Sequence, residues 1–220
     1  MTPLSRRAPR LVALLLALAL VAACARLIPP QSVDDPFRLD GQVVPVTFGA
    51  ASPALAPLAV NGSAATTFAF DDLDRGLPVR PRVIRNRIGI AGAVLVSGSG
   101  PATITLRDLT LTLRGWQGAG AYDAAPVEQR ATARLDASVT VELRQEACTD
   151  LACTYAVVGD ATLGDLALEG EALTRFLDLA TSAPTTNAAE ASFTVTAEQD
   201  ELAGATLGLR LEASQGLIEF

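Results

Sequence analysis

RLDASVTVELR, running from Arg134 to Arg144, sets Leu135, Ala137, Val139, Val141 and Leu143 against Arg134, Asp136, Ser138, Thr140, Glu142 and Arg144. Successive side chains of a strand point to opposite faces, so a period of two predicts a strand with one buried and one wetted face. Downstream, Tyr155, Val157, Ala161 and Leu163 share a parity, and Leu166 and Leu168 take the other after Gly164-Asp165. Upstream, Ile88, Ile90, Val94 and Val96 form one set. Ile104 and Leu106 form another, and Leu109, Leu111 and Leu113 follow on the opposite parity after Arg107-Asp108. A one-residue slip would turn the apolar set to the wrong face, so a bulge or bend is expected at Arg107-Asp108.

Further strands are predicted from Ala191 to Ala197 and from Thr206 to Ala213, with weaker signals at Val43 to Phe48 and Thr66 to Phe70. Leu173, Phe176, Leu177 and Ala180 recur at helical spacing, predicting one helix from Glu171 to Thr181. Many amphipathic strands with a single helix argue for a mainly antiparallel β domain over residues 41–220. A two-layer β-sandwich with one short helix is the first expectation. A curved antiparallel sheet wrapping the helix, as in lipid carriers, is the alternative.

Cys148 and Cys153 flank Thr149-Asp150-Leu151-Ala152, a turn between two clear strands. Facing hairpin residues lie about 4.5 to 5.5 Å apart, which suits a disulfide in an oxidising compartment. A redox or metal pair fits less well, because the spacing is not Cys-x-x-Cys and no histidine is present to complete a zinc site.

The compartment is written at the amino terminus. Arg6, Arg7 and Arg10 precede an apolar run from Leu11 to Ala23, the layout of a signal peptide. The run is well short of the roughly 20 residues that a spanning helix requires. Val21-Ala22-Ala23-Cys24 resembles the lipobox of bacterial lipoproteins. The resemblance covers only this leader. It implies removal of residues 1–23, a diacylglycerol on the Cys24 sulfur and an extracytoplasmic body held to a membrane of the cell envelope. Two acyl chains give the lasting attachment that one does not. Ser5-Arg6-Arg7 also suggests a twin-arginine signal, but Ala8-Pro9 stand where that signal has other residues. Residues 24–40 contain three prolines and no sustained period, and are expected to form an extended linker.

The whole chain carries a net charge of −7. The leader holds three arginines and no acid, so the mature body is more acidic still. Such a body repels phosphates, which makes nucleic acid an improbable partner. The chain has neither Lys nor His. It therefore lacks the usual general base, the Schiff-base amine, the His-paired nucleophiles and every histidine metal site. We expect no enzyme, no cofactor and no metal. Carboxylates, hydroxyls and Arg remain, which leaves open metal-assisted or acid-dependent glycosidase hydrolysis by paired carboxylates.

Arg75, Arg80, Arg82, Arg85 and Arg87 crowd one stretch of this acidic chain. One reading is a site for an anionic group, because guanidinium forks pair with phosphate and carboxylate. The plainer reading is a solvated edge strand whose charges block edge pairing and balance Asp71, Asp72 and Asp74. Asp72-Leu73-Asp74-Arg75-Gly76 lacks the closing Glu of a calcium loop and reads as an acidic turn. Gly115 to Pro126 is a glycine-rich loop with Trp116 and Tyr122, which could anchor a partner or fold back on the core. Ser97-Gly98-Ser99-Gly100 is no nucleophile elbow. Two functional classes follow: an anchored domain that binds a protein or scaffolds the envelope, and a carrier of a lipid or other apolar ligand.

Overall fold

The computed structural model describes residues 28–49, 57–69, 79–95, 103–117, 127–182, 185–197 and 202–220. In chain order the strands are β1 (Gln31–Asp34), β2 (Val43–Thr47), β3 (Leu58–Phe68), β4 (Val83–Leu95), β5 (Thr103–Trp116), β6 (Glu128–Cys148), β7 (Cys153–Val158) and β8 (Thr162–Glu169). The helix α1 (Gly170–Ser182) follows, then β9 (Thr186–Ala197) and β10 (Thr206–Glu219). The fold is mainly β and antiparallel, with one short helix among the described residues, as the alternation predicts.

All ten strands belong to one sheet. β1 and β2 pair with β10, which pairs with β4, and β4 pairs with both β7 and β8. The path continues from β7 through β6, β5 and β9 to β3. The sheet curls until its ends meet: a Cβ on Gly62 of β3 would lie 2.7 Å from Val44 Cγ1 and 2.9 Å from Val46 Cγ2 of β2. Only a residue without a Cβ permits that approach. The result has a sandwich's two apolar faces in one core and the unbroken pairing of a curved sheet.

The two parity changes are bulges. β5 slips register after Arg107 against both neighbours, and Asp108 takes a left-handed φ of 57°. Gly164 adopts a φ of 144° where β8 slips against β4 at Ile88 and Gly89. Each bulge absorbs one residue, so Leu106, Leu109, Leu111 and Leu113 all face the core, as do Leu163, Leu166 and Leu168.

α1 begins at Gly170, whose φ of 75° turns the chain out of β8. Leu173, Phe176 and Leu177 are buried against β5, β6 and β8. Phe68 links the rings of Phe37, 5.4 Å away, and Phe176, 6.4 Å away. No described helix is long and apolar enough to cross a membrane.

The linker expected over residues 24–40 is corrected in its second half. Gln31–Asp34 pair with β10, and Phe37 and Leu39 are fully buried. Asp35 Oδ1 accepts a hydrogen bond from Leu39 N at 2.8 Å, and Asp40 Oδ1 accepts one from Ala213 N at 3.0 Å. Proline content masked a turn whose two apolar side chains belong to the core.

Candidate functional surfaces

The arginines divide between two places. Arg85 and Arg87 project from the outer face of β4, a central strand, so the expected edge-strand setting is corrected. They line a surface cleft of about 480 Å³ with Ser32, Asp34, Asp165 and Gln215. Arg85 Nε donates to Glu219 Oε1 at 2.9 Å, and Arg87 donates to both Asp165 oxygens at 3.0 and 3.4 Å. Those carboxylates hold both guanidinium pKa values above the ordinary range. Arg80 lies instead beside α1, ion-paired with Asp178 and within 3.4 Å of Thr181 Oγ1. The backbone N–H of Arg82 donates to Glu219 O at 2.7 Å. An anion would have to displace the chain's own acids to reach Arg85 and Arg87.

A line of irregular pairing continues this cleft. β10 slips against β4 at Arg210–Leu211 and again between Glu212 and Gln215, close to the β4–β8 bulge. Two smaller polar clefts open along that line, sharing Glu212 and Ser214. Asp160, on the rim, is held below the usual carboxylate range by hydrogen bonds from Thr162, its N–H at 2.8 Å. Sequence parity revealed the β8 side of this groove, but not the β10 side.

Cys148 and Cys153 are disulfide-bonded, with Cα atoms 4.0 Å apart. The turn they close is fixed twice more: Thr149 N donates to Ala152 O at 2.8 Å, and Thr149 Oγ1 accepts from Leu151 N and Ala152 N. Leu151 stands on this stapled tip with 83% of its surface exposed.

Trp116 ends β5 half-buried, with the Arg114 guanidinium 5.1 Å above its ring. Arg114 donates to both Glu128 oxygens at 2.8 and 2.9 Å, and Arg130 donates to the same carboxylate. These two arginines lower the Glu128 pKa. Sequence reasoning singled out Trp116 but missed the Arg114–Glu128–Arg130 group, whose members are brought together only by β5–β6 pairing. Cys24, Arg75, Tyr122, the Asp72–Gly76 turn and Ser97–Gly100 lie outside the described residues.

Inside the sheet, Phe37, Phe48, Phe176, Leu39, Leu95 and several further aliphatic side chains are fully buried. Among the described residues two buried polar side chains break the pattern, Asn187, which accepts a hydrogen bond from Thr185 Oγ1 at 3.1 Å, and Asn86. Asn86 faces inward between Ile84 and Ile88, with neither Oδ1 nor Nδ2 hydrogen-bonded to any described residue. No group of three or more acids or cysteines suited to a metal ion occurs among the described residues.

No family model and no curated protein matches this chain.

Proposed function

We propose that this chain is a bacterial envelope lipoprotein whose β body binds a protein partner or scaffolds the envelope without catalysis. The observation that carries the address is Val21-Ala22-Ala23-Cys24 behind an arginine-led apolar run. From Cys24 to Gln31 is seven residues, a reach of at most about 25 Å. On this reading the end of the sheet where β1 meets Ile218 of β10 faces the bilayer, and the Cys148–Cys153 hairpin points away from it.

The non-catalytic reading draws support from the residue supply. Without Lys or His, activation of a nucleophile falls to carboxylates. In the Arg-lined cleft Asp165 is held by Arg87, and Arg85 holds Glu219, both in exposed ion pairs. Among the described residues the one carboxyl raised by burial, Asp35, is engaged in a turn. A carrier needs an apolar cavity of at least about 300 Å³. The clefts described above are surface grooves bordered by charged and polar side chains, and the inner faces of the sheet are occupied by the chain's own rings and leucines. These features favour protein binding over carriage.

The test is mass spectrometry of the mature amino terminus together with fractionation of Cys24→Ser. A diacylated Cys24 as first residue, and release of the variant from membranes, support the proposal. A retained Met1 on a freely soluble chain overturns it. Cross-linking in intact envelopes then asks whether the body meets a protein.

A further inference from the structure

Outward side chains of four neighbouring strands meet in the cleft of about 480 Å³. Register sets Asp34 of β1 beside Gln215 of β10, Gln215 beside Arg87 of β4, and Arg87 beside Asp165 of β8. The next row on the same face sets Ser32 beside Leu217, and Leu217 beside Arg85. Arg87 turns to Asp165, and Arg85 turns to Glu219. A guanidinium has five N–H donors. These pairs take two from Arg87 and one from Arg85. Asp34, at the other end of its row, is exposed and belongs to neither pair. Its backbone lies two strand spacings from that of Arg87, about 10 Å, with Gln215 between them. The cleft thus offers spare cationic donors on one side and a carboxylate on the other.

We infer that this cleft binds the phosphoethanolamine headgroup of a bilayer phospholipid, with the phosphodiester on Arg85 and Arg87 and the ammonium on Asp34. A plain anion is not what the arrangement selects, because Asp34, Asp165 and Glu219 outnumber the two arginines and repel it. The headgroup carries one charge of each sign on a two-carbon link, so it answers both sides of the cleft and adds no net charge. Ethanolamine is preferred to choline for two reasons. A primary ammonium donates charge-assisted hydrogen bonds to a carboxylate, and a quaternary nitrogen has no N–H to donate. Quaternary nitrogens are held instead over aromatic rings, and none of the described residues lining the cleft is aromatic. The bilayer is the source because Ser32 follows Cys24 by eight residues, at most about 28 Å of chain. That choice of source rests on the proposed anchor, whereas the headgroup chemistry does not.

The test uses the full chain in maltoside micelles, titrated by calorimetry with soluble glycerophosphoethanolamine. Saturable binding is expected, tighter than that of glycerophosphocholine or inorganic phosphate by about tenfold or more, the effect of one charge-assisted hydrogen bond. Asp34→Asn, with native circular dichroism, should bind the ethanolamine and choline forms equally, and Arg85→Gln should weaken both. Asp150→Asn, on the stapled turn, should change neither. In phosphatidylcholine vesicles the chain should still take up the soluble headgroup. Adding phosphatidylethanolamine to those vesicles should abolish the uptake, because the lipid then fills the cleft. No binding, equal binding of the three probes, or a preference that survives Asp34→Asn would overturn the site. Uptake that phosphatidylethanolamine leaves unchanged would overturn the bilayer as source. The mass at Cys24, read on the same sample, keeps the two proposals apart: a diacylated chain that binds no probe sinks the site and leaves the anchor, and an unmodified chain that binds the probe sinks only the bilayer source.

Discussion

Leu135 of β6 occupies the space above Gly164 of β8, so a Cβ on Gly164 would overlap Leu135 Cδ2. β6 and β8 are not hydrogen-bonded to each other, and this contact helps close the seam between them. Gly164 also holds a φ of 144°, which residues with a Cβ rarely adopt. Gly164→Ala should therefore lower stability by about 1–3 kcal/mol from overpacking, with backbone strain added. Pairing it with Leu135→Ala should recover the steric part alone. A double-mutant cycle by urea denaturation measures that coupling. Additive effects would show that the two residues do not meet.

Asn86 offers a prediction of opposite sign. Its amide is fully buried between Ile84 and Ile88 and has no hydrogen-bond partner among the described residues. A buried polar group without a partner costs about 1–3 kcal/mol. Asn86→Leu, close in size, should raise the urea midpoint with an unchanged slope. A loss of stability would mean that the amide has a partner in solution.

The Cys148–Cys153 bond closes a very short loop, for which chain entropy gives roughly 2 kcal/mol. Cys148→Ser with Cys153→Ser should lower stability by about that much. Hydrogen exchange should quicken at the ends of β6 and β7 and leave β5 and β9 unchanged. Exchange that rises across the whole sheet would refute a local role.

Acid titration should show two opposing trends. Glu128 and Asp160 have lowered pKa values in the folded chain, Glu128 through Arg114 and Arg130, Asp160 through Thr162. The stability they contribute is present above their ordinary values of 4.5 and 3.8 and is lost as pH falls through the folded values. Asp35 is raised by burial, so its contribution is full below 3.8 and declines as pH rises through its folded value. Glu128→Gln should flatten the first trend, and Asp35→Asn the second. Denaturation midpoints across the acidic range provide the measurement, and parallel pH profiles for wild type and variants would contradict the assignment.

Much of the body was legible along single strands. The alternation in Arg134–Arg144 fixed the face of β6, and the parity changes at Arg107-Asp108 and Gly164-Asp165 located two bulges. The helix expected from Glu171 to Thr181 forms over Gly170–Ser182. β10, expected to end at Ala213, continues to Glu219, because the bulge between Glu212 and Gln215 breaks the period that would have extended it. Of β3, only the end at Thr66–Phe68 was signalled, and the rest was hidden for a different reason. Ala, Asn, Ser and Gly leave it little hydrophobic contrast, and it is a strand because β9 pairs with all of it.

By itself, then, the sequence determined the chain's strand periodicity, its charge and its lack of Lys and His, since each is set by composition or by neighbours along the chain. Tertiary structure decided which acid meets each arginine, that Phe37 and Leu39 belong to the core, and that β3 ends the sheet. Those outcomes depend on which distant segments pair, and pairing is settled by the joint burial of faces contributed from across the chain. No local pattern in Leu58–Phe68 could say whether a neighbour would cover its second edge.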